Sequence, residues 1–352
     1  MTAGVWKSST RLADGREIIY FDESPGTGRA SVPDSRHLGG PAGQAPGGEL
    51  RLDALTGDQI AIAEHRQGRT FLPAADSCPL CPSTPGHATE IPAPSYDVVV
   101  FQNRFPAMPA GQGRCEVVCF TAEHDASFGS LSPHRVQTVL AAWADRTAEL
   151  GSAEGIEHVY CFENRGEEIG VTLHHPHGQV YALPYVPPRS RQQLASARAH
   201  RARTGRNLFD DMLAAEQADG RRIIARNEHW TALVPWAPHW PFEVRLHPAE
   251  RVADLAALSA AARAAFAGVY LDVLRRLDAL FGAPMPYMAC WQQAPARDAA
   301  ARAEFGLHLQ VLAVRRAPGK LKFMAGTETG AGIWSNDVLP ETAARMLREA
   351  LS

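Results

Sequence analysis

The sequence predicts an α+β protein built from two tandem units, each an antiparallel sheet backed by one long helix. Three observations lead there. Short apolar runs with a side-chain period of two recur along the chain, amphipathic stretches of about 18 to 22 residues interrupt them, and the order of these elements repeats. In the first half, strands at Tyr96–Gln102 and Cys115–Phe120 precede a helix at Pro133–Leu150. That helix collects Val136, Val139, Leu140, Trp143 and Thr147 on one face, and strands follow at His158–Glu163 and through His175 and His177. In the second half, strands at Trp230–Pro235 and Phe242–Leu246 precede a helix near Ser259–Leu280, which aligns Ala262, Phe266, Val269, Val273 and Leu277. Strands at Tyr287–Gln292 and Gly306–Val314, the latter carrying His308, complete it. The matching order reads as an internal duplication.

Ahead of the duplication, Arg16–Phe21 has strand character, and Glu49–Glu64 reads as two short strands about the turn Thr56-Gly57-Asp58. Residues 25–48, rich in Gly, Pro, Ser and Ala, read as a linker. The expected organisation is an N-terminal arm over 1–48, a first unit over 49–205 and a second over 206–352. The Arg-rich stretch 189–206 reads as a solvated helix.

Composition bounds the function. The chain has 352 residues, 45% apolar and 21% charged, with a formal net charge of -3. That gives no basic surface for nucleic acid. No apolar run is long enough for a membrane span, and Met1–Arg11 lacks the apolar core of a secretory signal. Six cysteines in this length suit a reducing, cytoplasmic setting rather than a disulfide framework.

The informative run is Glu163–Gln179, ENRGEEIGVTLHHPHGQ. On a strand His175, His177 and Gln179 share a face, and three polar groups there need partners or a task. Neutral imidazole attacks phosphorus readily near pH 7, and the phosphoramidate it forms passes the group on. Its other ring nitrogen must be fixed by an acceptor, often a backbone carbonyl. Gln179 can donate to a phosphoryl oxygen but cannot transfer a proton, which favours storing a covalent intermediate over hydrolysing it. His174, on the opposite side of the strand, reads as a packing or surface residue. Cys78-Pro79-Leu80-Cys81 is either a redox pair or half of a metal knuckle; the flanking prolines and the absence of a βαβ context favour the knuckle.

With these residues the sequence resembles the galactose-1-phosphate uridylyltransferase family of the histidine-triad superfamily. The resemblance runs from about Glu49 to the C-terminus. It rests on His-Pro-His-Gly-Gln at His175–Gln179, Phe-Glu-Asn at Phe162–Asn164, Val-Phe-Gln-Asn at Val100–Asn103 and Lys-Phe-Met-Ala-Gly at Lys322–Gly326. It implies two histidine-triad-like units whose antiparallel sheets form a half-barrel flanked by helices. It also implies a ping-pong transfer of UMP from UDP-glucose to galactose 1-phosphate through His177, in a homodimer with shared sites. A change of acceptor to inorganic phosphate, as in a nucleotide-sugar or dinucleotide phosphorylase, would keep the same fold.

Position by position, the resemblance makes His177 the nucleophile and places Gln179 on the phosphoryl oxygens. Asn164 and Thr172, the latter in place of the usual Ser, fall at the nucleotide phosphate, and Phe101 and Asn103 at the uridine. Arg66 and Arg69 match a pair that reaches the partner subunit's nucleotide, where guanidinium suits phosphate. Lys322, Phe323 and Glu328 match the segment over the hexose phosphate. His124 and His175 join Cys78 and Cys81 as the ligands of one structural zinc. A second metal site of the family would fall on Gln193, Gln292, His308 and Gln310, a poor donor set for a divalent cation, and is expected to be absent. Around Glu328 the sequence departs from the family pattern, at Thr327 and near Trp334, so Asn336 or Asp337 is expected to supply sugar contacts.

Overall fold

The computed structural model describes residues 4–31, 34–36, 48–68, 70–109 and 111–351. Arg69 and most of the 25–48 linker lie outside the described residues. The chain divides into two compact units: 1–161, 172–191 and 295–298 form the first, and 162–171, 192–294 and 299–352 the second. Every strand pair given for the two units is antiparallel, as expected for the α+β class.

The first unit contains β1 (Trp6–Arg11), β2 (Glu17–Asp22), β3 (Glu49–Leu52), β4 (Gln59–Ile62), β5 (Val98–Gln102) and β6 (Arg114–Cys119). Helix α1 (Pro133–Ser152) follows, then β7 (His158–Arg165) and β8 (His177–Leu183). Strand β7 is divided, with His158–Cys161 in the first unit and the rest in the second. The sheet order is β1-β2-β5-β6-β8, and β3 and β4 form a separate ribbon. Strands β2 and β5 are β-branched and aromatic runs buried on both faces, the pattern of interior strands. Val99, Phe101, Val117 and Cys119 pack with Cys78, Leu80, Ile91 and Tyr96 of the long β4–β5 connection. Helix α1 packs on the sheet at β2, β5 and β8. It starts at a proline behind Ser132, whose hydroxyl accepts from the Arg135 amide at 3.1 Å. Trp143 of α1 meets Phe120 edge-on at 5.6 Å and stacks on Phe128 at 5.9 Å. Beneath the helix, fully buried Arg146 clamps Glu116 through two hydrogen bonds of 2.7 and 2.9 Å, a pair whose members each need the other.

Strands β1 and β2 correct the reading of residues 1–48 as an arm. Strand β2 pairs with β5 from Ile18↔Phe101 to Phe21↔Val98, and Ile18 and Tyr20 are completely buried in the core. The strand character at Arg16–Phe21 was visible in sequence, but its partner lies some eighty residues on and leaves no local signal.

In the second unit, α2 (Pro188–Thr204, from Gln192 on) and α3 (Leu208–Asp219) lead to β9 (Ile223–Arg226), β10 (Trp230–Leu233) and β11 (Phe242–Pro248). Helix α4 (Ala260–Ala279), β12 (Tyr287–Gln292), α5 (Ala299–Glu304), β13 (His308–Ala313), α6 (Gly326–Ala331) and α7 (Pro340–Glu349) follow. Phe162–Arg165 of β7 pairs with β12, and the order continues β12-β13-β11-β10-β9. Ser259 caps α4 as Ser132 caps α1, and the Trp230 indole donates to the Ala262 carbonyl at 2.7 Å.

Candidate functional site

A cavity of about 240 Å³ opens on one face of the first sheet. Its floor is a cross-strand row, because Val117 of β6 pairs with Phe101 of β5 on one side and Gln179 of β8 on the other. His177 lies one pleat repeat along β8, opposite Cys119, and also lines the cavity. Arg66, Thr70, Thr172, Leu173, Pro79, Leu80, Glu90, Asn103, Arg104 and Phe105 complete the lining. Of the sequence-derived positions, Arg66, Phe101, Asn103, Thr172, His177 and Gln179 are therefore gathered at one site. Arg66 lines the cavity of its own chain, whereas the resemblance directed it to the partner. Arg69 is outside the described residues.

The ring of His177 is held by backbone. Its Nδ1–H donates to the His175 carbonyl at 2.7 Å, so Nε2 carries the lone pair. Burial depresses the His177 pKa below 6.5, with the carbonyl working the other way, and the ring is neutral near pH 7. The Gln179 Oε1 is buried without a hydrogen-bond partner among the described residues, an unusual cost for an amide with no ligand to meet.

His175 departs from the expected pattern. Strand β8 begins at His177, so His175 sits before the ladder, and its completely buried ring turns to the cysteine loop. Cys81 Sγ lies 3.5 Å from His124 Nδ1 and 3.5 Å from His175 Nδ1. The ligand atoms of Cys78, Cys81, His124 and His175 all lie within 4.8 Å of one another. Tetrahedral zinc, with Zn–S near 2.3 Å and Zn–N near 2.0 Å, sets a nitrogen–sulfur edge of about 3.6 Å, so these residues fit the ion. The surroundings fit as well. Burial and the neighbouring Cys78 push the Cys81 thiol up to about 12, so without a cation that thiol stays protonated. Burial pulls His175 down to about 4, into the neutral form that ligates metal. The His175 Nε2–H is shared by the Thr121 carbonyl at 2.8 Å and Tyr96 Oη at 2.7 Å, the outer-shell support typical of a ligating imidazole.

Asn164, Lys322, Phe323 and Glu328 belong to the second unit. Asn164 is exposed on β7, and Phe323 is 70% exposed. Lys322 Nζ lies 3.3 Å from Glu328 Oε1. Hydrogen bonds from Thr327 and the Ala325 amide help hold the Glu328 carboxyl down at about 2. Asn336 is occupied otherwise than expected: its amide donates to the carbonyls of Pro238 and Trp240 at 3.3 and 3.0 Å, and its Oδ1 caps Val338. Asp337 pairs with Arg316. Both side chains brace the loop.

At the second unit's counterpart of the metal set, Gln292 Nε2 donates to Gln310 Oε1 at 3.4 Å, and Gln310 Nε2 donates to Glu243 Oε1 at 2.7 Å. Glu243 also pairs with Arg245 at 2.9 Å. Gln193 stands outside this chain of bonds, its Oε1 without a partner among the described residues. His308 Nδ1 bonds the Gly306 carbonyl at 2.9 Å, two residues back, as His177 bonds His175.

Glu90 and Arg104 were not singled out in sequence. Glu90 sits in a Pro- and Gly-rich connection with no periodicity to mark it. Arg104 adjoins Asn103, and that adjacency was the available signal.

Known proteins share this arrangement over most of the chain. The family model for the galactose-1-phosphate uridyl transferase N-terminal domain matches residues 108–187, and that for the C-terminal domain matches 191–352. A galactose-1-phosphate uridylyltransferase of Streptomyces lividans is 48% identical, with 97% of each chain covered. The chain belongs to the galactose-1-phosphate uridylyltransferase family. A family member from Thermotoga maritima is 32% identical over 86% of this chain and 98% of its own. A solved uridylyltransferase structure superposes with a TM-score of 0.75 at 29% identity, covering 86% of this chain and 98% of that one.

Proposed function

We propose that the protein transfers UMP from UDP-glucose to galactose 1-phosphate through a uridylyl group carried on His177. The observation that carries this reading is the backbone bond to His177 Nδ1, which leaves Nε2 as a lone-pair donor on a ring lining the cavity. Nε2 attacks the α-phosphorus of UDP-glucose. A P–N bond forms, the P–O bond to the second phosphate breaks, and glucose 1-phosphate leaves with the electron pair. A phosphate oxygen of galactose 1-phosphate then attacks the same phosphorus, the P–N bond breaks, and UDP-galactose departs. Phosphate is a good leaving group that needs no proton, so an amide suffices at position 179. Gln179 and Thr172 donate to the phosphoryl oxygens, Arg66 and Arg69 offset their charge, and Phe101 and Asn103 receive the uridine. Asn164 serves the nucleotide phosphate. Lys322, Phe323 and Glu328 serve the hexose phosphate.

Cys78, Cys81, His124 and His175 would hold one zinc, whose part is structural because protein fills all four positions. The second set, two bonded glutamines among them, is assigned no metal. The working form is taken to be a homodimer in a reducing cytoplasm, supported by the family resemblance and by six cysteines that are all free. Among the described residues no helix is long and apolar enough to cross a membrane.

Incubation with UDP-glucose alone, followed by intact-mass measurement and peptide mapping, is expected to show one UMP adduct on His177. An unlabelled protein, or a label on another residue, would sink the reading; labelling only by adenine nucleotides would assign the chain to phosphorylase chemistry instead.

A further inference from the structure

We infer that Glu90 accepts the 2′- and 3′-hydroxyls of the substrate's ribose, making the cavity selective for ribonucleotides over 2′-deoxyribonucleotides. The inference rests on the nucleotide-transfer reading and assigns that site a specificity residue.

Among the described residues lining the cavity, Glu90 is the one carboxylate. A carboxylate repels a diphosphate, so its presence needs a reason. Position supplies one. His177 and Gln179 stand on β8, and Phe101 lies two strands away, across Val117. With about 4.8 Å between strands, that is about 10 Å from the phosphate end. Glu90 is fastened at the Phe101 side. Arg16, immediately before β2, donates to Glu90 Oε2 at 2.6 Å and to the Gln102 carbonyl at 2.8 Å. Arg104 Nε lies 3.0 Å from Glu90 Oε1, and the Glu90 amide donates to the Pro79 carbonyl at 3.0 Å. The acid is thus fixed at the nucleoside end by two guanidinium groups and a backbone bond.

Its remaining capacity matches a diol. An ionised carboxylate offers about four lone-pair sites. Arg16 engages one oxygen and Arg104 faces the other, which leaves acceptor capacity on both. A ribose presents two adjacent hydroxyl donors, whereas the uracil imide presents one N–H. The apolar lining residues Pro79, Leu80, Phe101 and Val117 suit the flat base.

The test compares kcat/KM for UDP-glucose and 2′-deoxy-UDP-glucose in the wild type, Glu90→Gln and Glu90→Asp, with UMP labelling of each protein followed by mass. A hydrogen bond to a charged acceptor corresponds to about 10- to 100-fold. The wild type is expected to prefer the ribose donor by that factor, Glu90→Gln to bring the ratio within about threefold, and Glu90→Asp to fall between. The change belongs in KM rather than kcat, because the contact is remote from phosphorus. A wild type that uses both donors equally overturns the inference, as does a Glu90→Gln or Glu90→Asp protein that keeps the wild-type ratio while still taking the label. Should Glu90→Gln fail to fold, the wild-type ratio and Glu90→Asp decide. If no donor labels the wild type, the transfer reading falls and this inference falls with it.

Discussion

His177 meets its orienting partner through the main chain, and this shapes what its removal should do. His177→Gly deletes the attacking nitrogen but keeps the His175 carbonyl, leaving a ring-sized gap over an intact acceptor. Added imidazole should therefore restore part of the transfer, with a rate that rises and saturates with imidazole concentration. A rate no different from buffer across that range would refute direct attack. Glu163 is the other residue with a distinct signature. It is buried on β7, accepts from Tyr287 Oη at 3.0 Å, and leaves Oε2 without a partner among the described residues. Burial pushes its pKa from 4.5 up to about 8, against the lowering influence of Tyr287 and Arg165. The folded protein thus holds a proton that the unfolded chain releases near pH 4.5. Stability falls as pH rises from there to about 8, by up to about 5 kcal/mol, then levels off. Glu163→Gln should flatten that slope and melt above the wild type at pH 8.5; parallel pH profiles of Tm for the two proteins would contradict it. At this scale His177, Gln179, Cys78 and Cys81 were legible because their types cluster in short runs, whereas His124 and His175 entered as ligands only through the family resemblance. Glu90 was not, because its partners Arg16 and Arg104 come from distant sequence, and the bonds of Asn336 to the Pro238 and Trp240 carbonyls carry no sequence mark either.

The element that sets the cavity is the loop from β4 to β5, which folds back on the sheet through Cys78, Leu80, Ile91 and Tyr96. Such a loop has little regular hydrogen bonding, and an ion held by Cys78, Cys81, His124 and His175 would replace the missing ladder. Metal analysis should return about one zinc per chain. Chelation, or Cys81→Ser, should cost several kcal/mol, a fall in Tm on the order of 10 °C. Two metals per chain would refute the assignment of the second set to hydrogen bonding, and a Tm indifferent to chelators would refute the first. The long helices and central strands were readable because each carries its own period and its own cap, as Ser132 and Ser259 do. Helices α3 and α7 and strand β9 were not identified in sequence. Strand β9 has four residues, and α3 buries only two side chains, Phe209 and Glu216, of which one is polar.

Across the whole chain, the duplication was legible as repeated order, but the borders of the units were not. The chain passes from one unit to the other several times, leaving the first after Cys161, returning at Thr172, and returning again for 295–298. A repeat of element order cannot reveal such exchanges. A fragment cut at 49–205 lacks β1 and β2, baring the fully apolar run Val98–Phe101 at a sheet edge. It is expected to be insoluble or unfolded by circular dichroism, and a monomeric fragment with a cooperative melt would contradict that. One further consequence follows from the carbonyl that orients His177. Enzymes that aim an imidazole with an aspartate or asparagine can lose the aim through a single codon change. Here the acceptor is a peptide oxygen, present whatever residue occupies position 175, so no substitution can delete it. It can only be displaced, and the thiol and imidazole cage around that same residue guards against displacement. Drift at 175 is therefore punished through the cage first and through the chemistry second.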